Sequence, residues 1–239
     1  MKILAIGNSF SQDATRYLSQ IAKANGDDIE VVSLYIGGCS LERHFRNMKS
    51  DSEIYEIIYC GQNTGFYTSI KKALLSRQWD VVTLQQQSLQ STDFETFTPY
   101  LEQIHEFIKE YSPKSKIYIH ESWAYENESK KIQTTKYASH LEMYLDIKFS
   151  YKKAAKVINA NGIIPCGALM SDLHCNQKLT VHRDGYHLSY GLGRFAAGLM
   201  WYKTLFKKDV TGIRLQEYDL PISDQELESV YKAIAKIDY

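Results

Sequence analysis

Short apolar runs alternate with amphipathic segments along the chain, and this alternation limits the folds available to it. Five runs have the length and composition of buried strands, at residues 2–6, 30–35, 80–84, 116–120 and 162–165. Apolar residues at helical spacing predict helices at about 13–24, 41–49, 68–77, 98–111 and 138–160. Strands that alternate with helices predict an α/β fold, a three-layer α/β/α sandwich around a mainly parallel five-stranded sheet.

Local signals refine the helix boundaries. Thr98 is predicted to cap a helix that has Pro99 in its first position. Further helices are predicted around 192–200, where apolar residues recur at helical spacing, and after Ser223, which begins the capping box Ser223-x-x-Glu226. The segment 50–68 has no regular pattern and is expected to form a small hairpin or a loop over the sheet.

Length and charge limit the number of domains and the kinds of partner. A chain of 239 residues without repeats or a linker is predicted to form one domain, residues 1–239. Its 28 Lys and Arg residues balance its 28 Asp and Glu residues, which argues against nucleic acid or an anionic membrane as a partner. Four scattered cysteines without a C-x-x-C pair indicate neither a zinc ribbon nor a disulfide scaffold.

No segment approaches the roughly 20 apolar residues of a membrane span. The start of the chain also lacks the apolar core of a signal peptide. The sequence as given therefore predicts a cytoplasmic protein, or a periplasmic or secreted one if a leader was removed.

A serine directly follows the first predicted strand, within the segment Gly-Asn-Ser-Phe-Ser at 7–11. Ser9 is expected at the carboxyl end of the sheet and near a helix start, where backbone N–H groups, its own included, favour developing negative charge. Its hydroxyl is a poor nucleophile unless an imidazole takes its proton and a carboxylate orients that imidazole. Alternatively, Asn8, Ser9 and Ser11 only cap the helix.

The missing imidazole and carboxylate are available far downstream, in Asp184-x-x-His187. At this spacing on a turn, the carboxylate can reach Nδ1 of His187 while Nε2 points toward Ser9. An incidental histidine beside a capping aspartate is one alternative. A metal site of His174, His182, Asp184 and His187 is another, but it would come from an irregular loop without helix-spaced ligands. The pairing with Ser9 favours a triad.

Donors for an oxyanion follow the second and third predicted strands. Gly38 could offer its N–H, although Gly37-Gly38 is also a common tight turn. The third strand ends in glutamines at 85–87, and buried amides are costly unless they are hydrogen-bonded. One of them could donate an N–H to the oxyanion, but neighbouring residues on a strand face opposite sides, so the spacing alone does not select which.

Three aromatic residues are candidates for the substrate pocket. Trp123, Tyr125 and Tyr186 could line it and stack on a sugar ring. With 18 tyrosines in the chain, a core or surface role is at least as common for such residues.

Ser9, Gly38, the glutamine run and Asp184-x-x-His187 occur in the order of the four sequence blocks of the SGNH (GDSL-like) hydrolase superfamily, which this chain resembles over nearly its whole length. More narrowly, segments 7–11, 37–41, 79–86, 123–125 and 184–189 resemble a bacterial branch without an assigned substrate. The resemblance implies a flavodoxin-like fold and hydrolysis of esters, commonly acetyl esters on sugars, lipids or other small molecules.

Two blocks depart from the superfamily pattern. Gly-Asp-Ser becomes Gly-Asn-Ser at 7–9, which keeps the nucleophile, and Gly-x-Asn-Asp is replaced by glutamines. Alignment with that last motif places Gln87 at the asparagine position. Comparison with the Gln-Gly-Glu-Ser version of some carbohydrate acetylesterases selects Gln85, and we favour Gln85.

The sequence thus predicts a serine esterase that removes a small acyl group, acetyl being the first candidate, from a carbohydrate or related small-molecule alcohol. Ser9, His187 and Asp184 are the predicted triad, and Ser9, Gly38 and Gln85 the predicted oxyanion hole. No metal or organic cofactor is expected. The alternatives are a metal-dependent hydrolase and a non-catalytic carbohydrate-binding relative. The sequence does not determine the oligomeric state.

Overall fold

A computed structural model describes residues 1–237, so the predicted domain at 1–239 extends two residues beyond the described range. Its strands are β1 (Lys2–Gly7), β2 (Glu30–Tyr35), β3 (Tyr55–Tyr59), β4 (Gln62–Thr68), β5 (Val81–Leu84), β6 (Lys116–His120) and β7 (Gly162–Ile164). Its helices are α1 (Ser9–Thr15), α2 (Leu18–Ala24), α3 (Leu41–Lys49), α4 (Ile70–Leu75), α5 (Tyr100–Tyr111), α6 (Lys130–Gln133), α7 (His140–Val157), α8 (Cys166–Ser171), α9 (Leu192–Phe206) and α10 (Asp224–Ala235).

The strands form one sheet in the order β4-β3-β2-β1-β5-β6-β7. The five predicted strands are parallel neighbours in it, because their apolar runs are buried by helices on both faces. The prediction of five strands is nevertheless too low. Segment 50–68 adds the antiparallel hairpin β3–β4 at one edge. Most of β4 is exposed, so it lacks the apolar run that marks the other strands.

Helices cover both faces of the sheet, as the α/β/α prediction requires. The first layer includes α1, α2 and α9, which contact one another, and the second includes α3, α4 and α5. Side chains of the central strand β1 are almost entirely inaccessible to solvent, so the core lies on both sides of this strand. No helix within residues 1–237 has both the length and the apolar content needed to cross a membrane.

Several helix boundaries differ from the prediction. The helix predicted at 13–24 is two helices, and α1 begins at Ser9 because Asn8 caps it by accepting the Phe10 N–H at 3.0 Å. Thr98 does not cap α5: its hydroxyl donates to Glu102 at 3.0 Å, and Pro99 precedes the first helical residue. The predicted capping box at Ser223 is confirmed.

Candidate active site

Asn8 joins the loops that follow β1 and β2. Its side-chain oxygen caps α1, and its Nδ2 donates to the carbonyl oxygen of Cys39 at 3.0 Å. Ser9 is therefore the first residue of α1 and lies beside the loop that contains Gly38. The N–H groups of a first helical turn have no partner within the helix, so the Ser9 N–H is available to a bound anion.

Ser9, His187 and Asp184 form a continuous chain of hydrogen bonds. The Ser9 Oγ lies 2.9 Å from Nε2 of His187, and Nδ1 of His187 lies 2.7 Å from Oδ2 of Asp184. The other carboxylate oxygen accepts the backbone N–H of His187 at 2.8 Å. With Nδ1 donating to the carboxylate, Nε2 is left to accept the serine proton.

The surroundings of Asp184 keep its carboxyl group charged. Burial alone would raise the pKa of Asp184. Hydrogen bonds from the side chain and backbone of His187 outweigh burial and lower this pKa below its ordinary value of 3.8. An ionised carboxylate at neutral pH can orient the His187 ring and stabilise its protonated form.

Asp13 on α1 holds the end of the loop that carries His187. It is fully buried, and its Oδ2 accepts the Leu188 N–H at 3.1 Å and Arg183 Nη1 at 2.9 Å. Its other oxygen accepts Arg194 Nε at 2.8 Å. Because α1 also carries Ser9, one short helix positions both the serine and the histidine loop. Asp13 was not found from the sequence, because its partners lie 170 or more positions away.

A cavity of about 280 Å³ opens over Ser9 and His187. Tyr125 and Tyr186 line it, but the prediction for Trp123 is wrong. Trp123 is fully buried behind the cavity, where it stacks on Phe10 with ring centroids 4.1 Å apart and its Nε1 donates to the Tyr186 carbonyl at 2.7 Å. It therefore supports the site from below and cannot stack on a substrate.

The glutamine run also requires a correction. Gln85 does not line the cavity, since it is 1% exposed and its Oε1 would lie only 2.8 Å from a Cβ added to Gly7, at the end of β1. Gln87 lines the cavity instead. Its Oε1 accepts the N–H groups of Leu89 and Gln90, both at 3.0 Å, so Nε2 is the donor. One Nε2 hydrogen goes to Ser88 Oγ at 3.4 Å and the other is left for a ligand. Gln86, the residue between them, is almost fully buried and its side-chain oxygen accepts the Leu41 N–H at 2.9 Å.

Gly38 lines the same cavity, on the side of the β2 loop. Its φ of +61° lies in the left-handed region, which glycine adopts without strain. The Ser9 N–H, the Gly38 loop and the Gln87 amide thus border one cavity.

The alternative metal ligands do not converge. Asp184 and His187 bond each other, whereas His182 Nδ1 lies 3.2 Å from Glu126 Oε1. His174 packs its ring between those of His140 and His182, at centroid distances of 4.8 and 6.4 Å. Within the described range, no group of three or more His, Cys, Asp or Glu side chains could hold a metal ion.

Other lining residues were not found from the sequence. Tyr35 lies at the end of β2, and Ser88 bonds the hydroxyl of Tyr125 at 2.8 Å. Lys131, on the short helix α6, lines the cavity with its Nζ 4.8 Å from the ring centroid of Tyr186. Tyr35 and Lys131 belong to no motif, and Ser88 follows the glutamine run without having been assigned a role.

Comparison with known proteins places the chain in a family. The sequence family DUF4886, described as a domain of unknown function, matches residues 2–226. The chain belongs to the DUF4886 family. A crystal structure of a DUF4886 protein from Bacteroides uniformis is 30% identical, with a TM-score of 0.91 over 98% of this chain and 93% of that one. No curated protein matches the sequence.

More distant structures share the fold of this DUF4886 protein. A proposed SGNH hydrolase from Slackia heliotrinireducens is 21% identical, with a TM-score of 0.62 over 86% of this chain and 98% of that one. A proposed GDSL-like lipase from Parabacteroides merdae is 16% identical, with a TM-score of 0.56 over 89% and 96%. The fold that the resemblance to the SGNH superfamily implied is thus confirmed as the SGNH-type α/β/α fold.

Proposed function

We propose that this DUF4886 protein is a serine esterase that removes a small acyl group, acetyl in the first place, from a carbohydrate or related alcohol. The observation that carries the proposal is the hydrogen-bond chain from Ser9 through His187 to Asp184 at an open cavity. The SGNH-type fold supports it, since relatives of that fold include proposed hydrolases.

In the first half of the reaction, Ser9 Oγ attacks the ester carbonyl carbon while Nε2 of His187 accepts the serine proton. Asp184 stabilises the imidazolium. The carbonyl oxygen becomes an oxyanion facing the N–H groups of Ser9 and Gly38 and the Nε2 of Gln87. When the tetrahedral intermediate collapses, His187 gives its proton to the leaving alcohol.

In the second half, His187 removes a proton from water, which attacks the acyl-enzyme carbonyl. Collapse of the second intermediate releases the acid and returns the proton to Ser9. Protein groups fill the roles of nucleophile, base and oxyanion donor.

The cavity supports a small acyl group and a polar alcohol. Its volume of about 280 Å³ is at the low end for small-molecule sites, which suits a short acyl chain. The hydroxyl groups of Tyr35, Ser88 and Tyr125 around it can bond the hydroxyl groups of a sugar.

Covalent labelling tests the nucleophile. A fluorophosphonate should attach to Ser9, as located by tandem mass spectrometry. Ser9→Ala should abolish labelling and lower the turnover of p-nitrophenyl acetate, by up to about 10⁶-fold as for other triad nucleophiles. Ser11→Ala is the matched control. Because Ser11 is only 2% exposed, it should not react with the probe, so this variant should still be labelled at Ser9.

Near-normal turnover by Ser9→Ala would overturn the proposal. An unlabelled wild type would favour the non-catalytic binding relative, and loss of activity with EDTA that a divalent ion restores would favour a metal-dependent hydrolase. A series of p-nitrophenyl esters from acetate to octanoate, with acetylated sugars, tests the acyl and alcohol parts.

A further inference from the structure

Lys131 is attached to the candidate site by two contacts between its segment and the histidine loop. The backbone N–H of Glu126 donates to the Gly185 carbonyl at 2.8 Å. Gly185 packs so closely on Ser129, the cap of α6, that an added Cβ would lie 2.3 Å from the Ser129 Cβ. Helix α6 therefore has a defined position relative to His187, although it is only four residues long.

The electrostatics of the cavity single out Lys131. Among the described residues that line the cavity, it is the one with a formal charge when His187 is neutral. Its ammonium group lies over the Tyr186 ring at 4.8 Å, and within residues 1–237 no carboxylate lies within the 4.0 Å of an ion pair. The ammonium group can therefore bind an anion that enters the cavity.

The chemistry of the leaving group indicates which part of the ester meets Lys131. His187 must hand its proton to the leaving oxygen, so the alcohol lies beside the imidazole. The Tyr186 ring lies 4.0 Å from the His187 ring, and Lys131 lies over Tyr186. The cation is thus on the side of the leaving alcohol, whereas the candidate oxyanion donors belong to the loops after β1, β2 and β5.

We propose that Lys131, positioned on Tyr186, is an anion subsite that selects esters whose alcohol part carries a carboxylate or a phosphate. This inference rests on the proposed esterase function and adds a substrate class to it. Lysine is a compact charge with three donors, so it suits either anionic group.

Matched esters test the subsite. We would measure kcat/KM for anionic 4-acetoxybenzoate and 4-acetoxyphenyl phosphate and for neutral 4-acetoxybenzamide. Lys131→Gln should lower the anionic-to-neutral ratio about 3- to 10-fold, mainly through KM, because the contact binds the ground state and transition state alike. Lys131→Arg should retain the preference, and the two anionic esters show which group the site prefers.

Lys130→Gln is the control, since Lys130 is exposed on the same helix but does not line the cavity. It should keep the wild-type ratio. An unchanged ratio in Lys131→Gln, or an equal loss in Lys130→Gln, would overturn the subsite while leaving the esterase function standing. Wild-type protein that cleaves neither these three esters nor p-nitrophenyl acetate would instead overturn the proposed function.

Discussion

At the scale of single residues, three consecutive glutamines after β5 have different environments. Gln85 is buried beside Gly7 at the end of β1, Gln86 accepts the N–H of Leu41 at the start of α3, and Gln87 borders the cavity. All three follow the end of β5 at Leu84, so strand alternation does not set the directions of their side chains. We therefore assign the amide donor of the proposed oxyanion hole to Gln87 and no longer to Gln85.

Substitution of the two candidate amides tests this assignment. Gln87→Ala should lower kcat by about 10²- to 10³-fold, the usual cost of removing one oxyanion donor. Gln85→Leu is the matched change in the core. It should alter the melting temperature rather than kcat, because neither polar atom of that buried side chain has a hydrogen-bond partner among residues 1–237. A kcat loss in Gln85→Leu that exceeds the loss in Gln87→Ala would return the role to Gln85.

At the scale of the element, α1 couples the serine to the histidine loop. Ser9 and Asp13 lie one turn apart on this helix, and Asp13 binds the Leu188 N–H directly after His187. The buried Asp13 carboxylate also pairs with Arg183 in this loop and with Arg194 on α9, so it fixes the position of the loop relative to α9. The distance between Ser9 and His187 therefore depends on a helix that carries only one of them.

Asp13→Asn should uncouple Ser9 from the histidine loop. It leaves two guanidinium groups without their buried carboxylate, so we expect a loss of about 3–5 kcal/mol in the free energy of unfolding. We also expect a lower kcat at temperatures where the variant is fully folded. Asp219→Asn is the control, because Asp219 pairs with Arg194 and Arg16 but does not bond Leu188. Equal kcat values for the two variants in the folded state would show that Asp13 serves stability alone.

At the scale of the whole molecule, buried titratable groups link stability to pH. Glu121 follows β6 and is almost fully buried, and burial raises its pKa from 4.5 to about 7 against the opposing effect of the Ala168 N–H. A raised carboxyl pKa stabilises the folded state fully below pH 4.5, and this contribution is lost as the pH rises through about 7. Buried His44 and His120 have the opposite effect on stability as the pH changes, because burial lowers the pKa of each to about 3.

The variant Glu121→Gln isolates this group. Its melting temperature should decrease less than that of the wild type between pH 4.5 and 7, while the histidine contributions stay common to both proteins. The exposed residue Glu110, changed to Gln, is the control and should follow the wild-type curve. Parallel curves for wild type and Glu121→Gln over this window would contradict the raised pKa.

The sequence predicted best those features that have a local signal. Buried parallel strands carry apolar runs and the cap at Ser223 is a contiguous pattern, so both were found. The sequence did not distinguish the β3–β4 hairpin from a loop, because β4 is mostly exposed. It placed the start of α1 too late, because a single hydrogen bond to the Asn8 side chain decides where this helix begins. The role of Ser9, Asp184 and His187 as a catalytic triad stays a prediction, as does the single domain.

By itself, the sequence determined the alternation of parallel strands with helices, the SGNH-type fold and the residue types at the ends of the strands, because periodicity and motif order are local or sequential properties. Tertiary structure alone decided which side chains share the cavity. Ser9 and His187 are 178 positions apart, and their 2.9 Å contact depends on how α1 and the histidine loop pack. The same packing places Trp123 behind the site and Lys131 at its edge, since neither position follows from neighbours along the chain.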